Sequence, residues 1–168
     1  LVRAVAEEEL AKHRPKDALK AVKSRLHQVA AAYVDAAPQY EAWLADLAAA
    51  TDPEQMCAVC GRIMARHAST RERLPILADF YRSVFADLPP VQRIADLGCG
   101  LNPLALPWMG LPAGVSYYAC DVFMDQTAFL NRFFSLLGVV GHAETCDLVH
   151  APGCPPADVV LMLKVLPN

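Results

Sequence analysis

The chain has 168 residues, of which 55% are hydrophobic and 20% charged, and a formal net charge of −3. This composition excludes a disordered tail, a collagen-like repeat and a low-complexity linker, and it argues against a protein that binds nucleic acid over its whole surface. No apolar run of about 18 residues and no signal peptide occur. We therefore expect a soluble, cytoplasmic protein, with no membrane contact, whose six cysteines are free thiols.

The chain up to about residue 88 has the apolar spacing of helices. Apolar side chains at steps of three and four between residues 18 and 33 predict an amphipathic helix. The lysines fall on another face of this helix: Lys12, Lys16, Lys20 and Lys23. Six basic residues and one acid lie between residues 12 and 25, so this stretch carries a local charge of +5 and the predicted helix has a basic side.

Three more helices are expected before residue 88. One begins at about Gln39, and the next begins where the side chain of Asp52 caps a helix whose first residue is Pro53. The last carries the apolar residues of the segment 74–85. Because proline disrupts a helix interior, we expect a kink or a later helix start at Pro75.

Beyond residue 90, short apolar runs alternate with loop signals. A helical stretch at residues 126–137 separates runs that have the length of strands. These runs are residues 94–97, 115–120, 141–148 and 159–163. The order of strands and helix predicts an α/β fold with a parallel sheet.

The last of these runs, residues 159–163, is apolar without alternation, which is typical of a strand covered on both faces. The chain ends five residues later, so this strand is expected to expose an apolar edge. The chain also begins with Leu1 and not with Met. From both ends we expect a fragment of a longer protein.

The most specific motif is the segment Asp96-Leu97-Gly98-Cys99-Gly100-Leu101-Asn102-Pro103, where an apolar strand leads into a glycine turn. Gly98 and Gly100 allow a tight bend and the close approach of a ligand. The next strand ends in Asp121, whose carboxylate can accept hydrogen bonds from ribose hydroxyls. A dinucleotide-binding site favours a third glycine near Asn102, which is absent here, so the pattern suits S-adenosylmethionine better than a dinucleotide. The alternative is a glycine turn that only connects the strand to the next helix.

A second motif runs from His67 to Arg73. Ser69 and Glu72 have the spacing of a capping box, which predicts a helix start at Ser69. This does not explain the arginines of the motif. One of them, directed into a cleft between helices and sheet, can hold the carboxylate of a methionine moiety.

Cys57 and Cys60 have the C-x-x-C spacing of a zinc site, with His67 as a conceivable third ligand. A single pair on one helix face is weak evidence for a metal. We favour buried free thiols and expect no metal.

Several segments resemble the aminoglycoside-resistance 16S ribosomal RNA methyltransferases, above all those of antibiotic-producing actinomycetes. This family methylates N7 of a decoding-site guanine in the small ribosomal subunit. The similar segments are residues 67–75 (HASTRERLP), 100–112 (GLNPLALPWMGLP), 119–121 and 157–167, with weaker similarity at 25–27 and 32–34. The two longest are specific to the family.

The resemblance implies a helical RNA-docking domain at residues 1–88. It also implies that residues 89–168 form the first half of a Rossmann-like methyltransferase domain, whose sheet is incomplete at the C-terminus. The implied cofactor is S-adenosylmethionine, the implied partner is 16S rRNA in the 30S subunit, and the implied outcome is aminoglycoside resistance. A truncated, non-catalytic fragment that binds cofactor or RNA, and a nicotinamide-dependent oxidoreductase, are the alternatives.

The resemblance also implies roles for single residues. Arg73 would hold the cofactor carboxylate, Gly98 and Gly100 would line its methionine part, and Asp121 would hold the ribose. The remaining implied cofactor residues are His67, Ser69, Asp96 and Asp147.

Asp147, beside the adenine and the methyl donor, and Lys164, at the end of the last strand, are the implied catalytic pair. From the residues alone, Asp147 is a loop-end cap and Lys164 a solvated strand terminus.

Basic residues of the helical part would contact RNA phosphates, although an ordinary solvated helix face explains them equally well. These residues are Lys12, Lys16, Lys20, Lys23, Arg62 and Arg66.

Overall fold

The computed structural model of the protein describes residues 2–31, 38–148 and 153–163. The helices are α1 Val2–Lys12, α2 Pro15–Ala31, α3 Tyr40–Ala49, α4 Pro53–Met64, α5 Ala68–Arg71, α6 Leu77–Phe85, α7 Leu106–Met109 and α8 Met124–Leu137. The strands are β1 Arg93–Leu97, β2 Ser116–Asp121, β3 Val140–Thr145 and β4 Val159–Leu161. Short 3-10 helices at Leu74–Ile76 and Asn102–Ala105 precede α6 and α7.

The four strands form one parallel sheet in the order β3-β2-β1-β4. Ile94 in β1 lies opposite Tyr117 in β2 on one side and opposite Val159 in β4 on the other. The α/β fold with a parallel sheet, predicted from the order of strands and helix, is therefore confirmed. Because all strands run the same way, their carboxyl ends meet at one edge of the sheet, where ligands bind in open α/β folds.

Helix α8 covers one face of the sheet with aromatic side chains at helical spacing. Phe129, Phe133 and Phe134 are at most 2% exposed, and Phe134 lies against Tyr117 with ring centroids 5.8 Å apart. A Cβ on Gly141 of β3 would come within 2.3 Å of the Phe134 ring, so the helix needs a glycine at this point of the strand. Side chains of α3, α4 and α6 join the same core, which places these helices against the sheet.

Two of the three local helix signals are confirmed. The backbone N–H of Gln55 donates to Asp52 Oδ1 at 2.8 Å, as expected of a cap. The segment around Pro75 forms a 3-10 turn, and α6 begins only at Leu77, as expected from the proline. A helix begins in the motif as predicted, at Ala68, but the capping role of Ser69 is wrong: Ser69 lies inside α5, and its Oγ is 2.9 Å from Nδ1 of His67.

The prediction that four lysines share one helix is wrong for Lys12. Helix α1 ends at Lys12 and α2 begins at Pro15, because proline is favoured at the first position of a helix and excluded from its interior. Lys16, Lys20 and Lys23 lie on α2 at spacings of four and three, and all are exposed. The basic face is therefore a property of α2, with Lys12 at the end of the preceding helix.

Strand β4 is an edge of the sheet described here, since it pairs with β1 alone. Val160 is 49% and Met162 46% exposed, which matches the apolar edge predicted for this run. Within the described ranges, every helix is too short or too polar to pass through a lipid bilayer.

Candidate functional site

The glycine turn lies at the carboxyl end of β1. Gly98 has φ +63° and Gly100 φ +52°, both in the left-handed region that favours glycine. The N–H of Cys99 between them donates to the carbonyl of Cys120 at 2.9 Å, which continues the pairing of β1 and β2 into the turn. A Cβ on Gly100 would lie 3.1 Å from the ring of His67, so the turn also packs closely on the segment before α5.

Asp121 at the end of β2 lies directly beside this turn. Its Oδ2 accepts from the N–H of Gly100 at 2.8 Å and its Oδ1 from the N–H of Val122 at 2.7 Å. Each carboxylate oxygen has a second lone pair, because an ionised carboxylate offers about four acceptor sites. The carboxylate is thus held in place by the backbone and keeps capacity for two hydroxyl donors of a ligand.

Arg73 reaches the same region from the segment between α5 and α6. Its Nη2 donates to Oδ1 of Asn102 at 3.1 Å. Its Nε is buried and has no hydrogen-bond partner among the described residues. Buried donors of a charged group are costly when unpaired, so the partly exposed guanidinium of Arg73 is a candidate to bind an anionic group.

Asp96 in β1 is 1% exposed and lies behind the turn. Its Oδ2 accepts from Nδ2 of Asn102 at 2.9 Å and from the hydroxyl of Tyr117 at 2.7 Å. Burial raises the pKa of Asp96 to about 7, although these two hydrogen bonds and the charge of Arg73 lower it, and Asp121 raises it further. Asp96 therefore changes its protonation near neutral pH.

Sequence reasoning missed the side chains that join Asp96 to Arg73. In the sequence, Asn102 argues only against a pyrophosphate site, and Tyr81 and Tyr117 fall within the apolar pattern of their elements. The hydroxyl of Tyr81 donates to Oδ1 of Asn102 at 2.7 Å. One signal was available: Asn102 is a lone polar residue between apolar neighbours directly after the turn.

The segment after β3 brings a third strand end to the same edge. The N–H of Cys146 donates to the carbonyl of Asp121 at 2.9 Å, and the Sγ atoms of Cys120 and Cys146 are 3.3 Å apart. Asp147 follows, partly buried. Lys164, the other half of the implied catalytic pair, lies outside the described residues.

Two other predicted cofactor residues, His67 and Ser69, lie in the segment that packs against Gly100 of the turn. His67 and Ser69 are 7% and 8% exposed and contact one another through Nδ1 and Oγ. The structure therefore brings together Arg73, the His67 segment, the glycine turn, Asp96 and Asp121. Arg62 and Arg66 are exposed at the end of α4, and Arg62 lies 3.8 Å from Asp46.

No group of three or more His, Cys, Asp or Glu side chains that could hold a metal ion occurs in residues 2–31, 38–148 and 153–163. Cys57 is partly buried and Cys60 buried within α4, and both are free thiols. Burial raises the pKa of Cys60 to about 12, which keeps it protonated.

A parallel sheet whose first strand leads into a left-handed glycine turn, beside a carboxylate that ends the second strand, defines a Rossmann-like fold. The family model described as "Ribosomal RNA methyltransferase (FmrO)" matches residues 1–168. The chain belongs to this family, as the resemblance of its motifs predicted.

Named relatives agree with this assignment. A 16S rRNA (guanine(1405)-N(7))-methyltransferase of Frankia casuarinae is 44% identical over 99% of this chain and 61% of its own length. The enzyme of the same name from Micromonospora echinospora is 41% identical over 90% of this chain and 57% of its own length. The chain thus spans about 60% of the length of these curated relatives.

Solved structures of similar proteins support the fold. The 16S rRNA methyltransferase RmtF in complex with S-adenosyl-L-homocysteine superposes with a TM-score of 0.77 at 33% identity, over 98% of this chain and 62% of RmtF. The 16S rRNA methylase RmtB superposes with a TM-score of 0.76 at 30% identity, over 95% of this chain and 61% of RmtB. The Rossmann-like methyltransferase sheet is confirmed.

Proposed function

We propose that the protein transfers a methyl group from S-adenosylmethionine to N7 of a decoding-site guanine of 16S rRNA in the 30S subunit, which confers aminoglycoside resistance in the cytoplasm. The names of the Frankia and Micromonospora relatives support this substrate, and the RmtF complex supports the cofactor. The observation that carries the proposal is the unpaired, buried Nε of Arg73 within the same site as the carboxylate of Asp121.

The side chains of the site fit the two polar ends of the cofactor. The guanidinium of Arg73 would bind the carboxylate of the methionine part, since guanidinium and carboxylate match as a two-pronged pair. Asp121 would accept from the ribose hydroxyls, with Gly98 and Gly100 leaving room between them. We assign supporting contacts to His67, Ser69 and Asp96, and contacts beside the adenine and the methyl group to Asp147.

The reaction depends on the alignment of the methyl group with guanine N7 more than on acid–base catalysis. When bound, the cofactor supplies a methyl group on a positively charged sulfur, which takes back the bonding electron pair as the methyl leaves. Guanine N7 carries a free lone pair, so no side chain has to remove a proton first. Arg73 and Asp121 would fix the ligand at two points, and such fixation of reacting partners accounts for large rate enhancements. We assign Asp147 and Lys164 to the positioning of the reacting groups.

Residues 1–88 would supply the contacts to the ribosomal subunit, and residues 89–168 most of the cofactor cleft. Lys16, Lys20 and Lys23 form one exposed face of α2, to which Lys12 adds a charge at the end of α1. Arg62 and Arg66 add cations at the end of α4. Ammonium and guanidinium groups bind phosphates irrespective of sequence.

Transfer of labelled methyl groups tests the function. The purified protein, S-adenosylmethionine labelled in the methyl group and 30S subunits should yield labelled 16S rRNA in which the nucleoside is 7-methylguanosine. The Arg73→Ala variant should lose this transfer. Salt-dependent binding of subunits without transfer would instead identify a non-catalytic RNA-binding module, and binding of NAD without S-adenosylmethionine would identify an oxidoreductase.

Replacing lysines of α2 should weaken RNA binding in a salt-dependent way. In the Lys16→Ala/Lys20→Ala/Lys23→Ala variant, the negative slope of log K for 30S binding against log salt concentration should become shallower by roughly two units, because each lost phosphate contact removes about 0.7–0.9. Filter binding at several salt concentrations measures this slope.

A matched control removes cations that already have acidic partners. Arg82 pairs with Asp79, and Arg132 pairs with Glu41. The Arg82→Ala/Arg132→Ala variant should keep the slope of the unmutated protein. Equal changes per removed charge in both variants would mean that net charge, and not the α2 face, sets the affinity.

A further inference from the structure

The amide of Asn102 lies between a cation and a buried acid. Asn102 is 1% exposed and begins the 3-10 helix that follows the glycine turn. Its Oδ1 accepts from Nη2 of Arg73 at 3.1 Å and from the hydroxyl of Tyr81 at 2.7 Å. Its Nδ2 donates to Oδ2 of Asp96 at 2.9 Å. One side chain thus connects the guanidinium to the carboxyl.

The partners determine which way this amide points. A guanidinium has only donors, so the amide atom that faces Arg73 must be the oxygen. The nitrogen then faces Asp96, which offers an acceptor oxygen. An amide accepts on one side and donates on the other, whereas a carboxylate or an apolar side chain of the same shape does only one of these or neither.

Arg73 and Asp96 each keep an unused polar atom. Within the described part of the chain, Nε of Arg73 and Oδ1 of Asp96 are both buried without a hydrogen-bond partner. A guanidinium and a carboxylate this well matched would ordinarily pair directly. They do not pair here, and Asn102 bonds to both.

We propose that Asn102 is a positioning residue that keeps the guanidinium of Arg73 apart from Asp96, so that this guanidinium stays available for the carboxylate of S-adenosylmethionine. This inference rests on the proposed function and deepens it, since it names what directs the carboxylate-binding group. Without the amide, Arg73 turns toward Oδ1 of Asp96, and the donors that the cofactor needs are consumed inside the protein.

The affinities of two ligands distinguish a role of Asn102 in positioning Arg73 from a purely structural role. S-adenosylhomocysteine carries the amino-acid carboxylate, whereas 5′-methylthioadenosine has the same nucleoside and a thioether but no carboxylate. In calorimetry with the purified protein, the Asn102→Leu variant should bind S-adenosylhomocysteine about 10- to 100-fold more weakly, the worth of one hydrogen bond to a charged group. Its affinity for 5′-methylthioadenosine should change less than about threefold.

Arg73→Ala provides the reference for this effect. It should reproduce the selective loss, and the Arg73→Ala/Asn102→Leu variant should lose no more than Arg73→Ala alone, because residues that act through one contact are not additive. Should Asn102→Leu fail to fold, Asn102→Asp differs from the unmutated protein by one atom. Its carboxylate would pair with Arg73 in a charged hydrogen bond, while its other oxygen and Asp96 share one proton, and it should again weaken only the ligand that carries a carboxylate.

Asn131 offers a matched control. Its partly buried amide also bonds twice, donating to the carbonyl of Ala143 at 2.7 Å and accepting from its N–H at 2.8 Å, but it joins α8 to β3. Asn131→Leu should lower stability and leave the ratio of the two affinities unchanged. If the Asn102 variants weaken the binding of both ligands equally, or of neither, the inference about Asn102 is wrong while the proposed function stands. If the unmutated protein binds neither ligand, the proposed function falls and the inference with it.

Discussion

Exchange of Asp121 for asparagine is expected to weaken the binding of S-adenosylhomocysteine by roughly a hundredfold or more, because each hydrogen bond from a ribose hydroxyl to a charged acceptor is worth about 1.5–3 kcal/mol. The Asp121 carboxylate is already anchored by the N–H groups of Gly100 and Val122, at 2.8 and 2.7 Å. It therefore meets the ribose without reorganisation. Calorimetry measures the dissociation constants of the variant and the unmutated protein.

For Asp121→Asn, a comparison of S-adenosylhomocysteine with 5′-methylthioadenosine gives a second expected result. The carboxylate would bind the ribose, which both S-adenosylhomocysteine and 5′-methylthioadenosine contain. Both ligands should therefore weaken by similar factors, in contrast to the selective loss expected for Arg73→Ala. Retained affinity for 5′-methylthioadenosine would contradict the assignment of Asp121 to the sugar.

A matched control exists at the opposite edge of the sheet. Asp158, just before β4, accepts from the backbone N–H groups of Gln92 and Arg93, each at 2.9 Å, and pairs with the Arg93 side chain. Asp158→Asn also removes a carboxylate held by two backbone N–H groups, both of which bond to Oδ2, but far from the carboxyl ends of the strands. It should leave both affinities unchanged.

The strands and α8 could be predicted because their signals are local in the sequence. The runs 94–97 and 115–120 agree with β1 and β2 to within one residue at each end. The run 141–148 was too long, since β3 ends at Thr145. The reason is its partner: Thr145 lies opposite Asp121, the last residue of β2, so the ladder has nothing to pair with beyond it.

The break between α1 and α2 was missed for a different reason. The apolar stripe from residue 18 onward is continuous with helical periodicity, and the lysines around Pro15 extend the same pattern backward. Periodicity records which faces are apolar, but it does not record where a backbone hydrogen bond is absent. Pro15 has no N–H to donate, and the helix therefore starts there.

The site was predictable as far as its parts belong to one strand–turn–strand unit. The glycine turn and Asp121 adjoin because parallel neighbouring strands end at the same edge, which strand order alone implies. The residues alone indicate that one of the arginines in the motif 67–73 binds the carboxylate, and only the family resemblance selects Arg73. Its contact with Asn102 spans 29 residues, and the contact of Tyr81 with the same amide spans 21. Such pairs depend on how helices pack on the sheet, which no local pattern records.

Asp96→Asn is expected to change how stability depends on pH. Burial raises the pKa of Asp96 from 3.8 to about 7, with Asn102, Tyr117 and Arg73 opposing the rise and Asp121 adding to it. Between these values the unfolded chain loses the proton while the folded protein keeps it, so the contribution of Asp96 to stability is lost as pH rises. The slope reaches about 1.4 kcal/mol per pH unit at most.

The amide of the Asp96→Asn variant cannot titrate, so this slope should disappear. Its oxygen can still accept from Asn102 and Tyr117, because both donors face the single atom Oδ2. The variant should therefore gain stability relative to the unmutated protein from about pH 4 to pH 7, by up to a few kcal/mol, and keep that gain at higher pH. Urea unfolding at each pH measures the difference.

Asp158→Asn separates this effect from a general loss of carboxylates. Hydrogen bonds from Arg93 and the backbone lower the pKa of Asp158, so its stabilising contribution is present above the ordinary aspartate pKa and lost as pH falls through the lowered one. Its removal should therefore lower stability by a constant amount from pH 4 to 7, and this loss should shrink only below about pH 4, so that it adds no slope within the window of Asp96. If Asp96→Asn and the unmutated protein give parallel stability curves from pH 4 to 7, Asp96 is ionised throughout, and the cation of Arg73 outweighs burial in setting its charge.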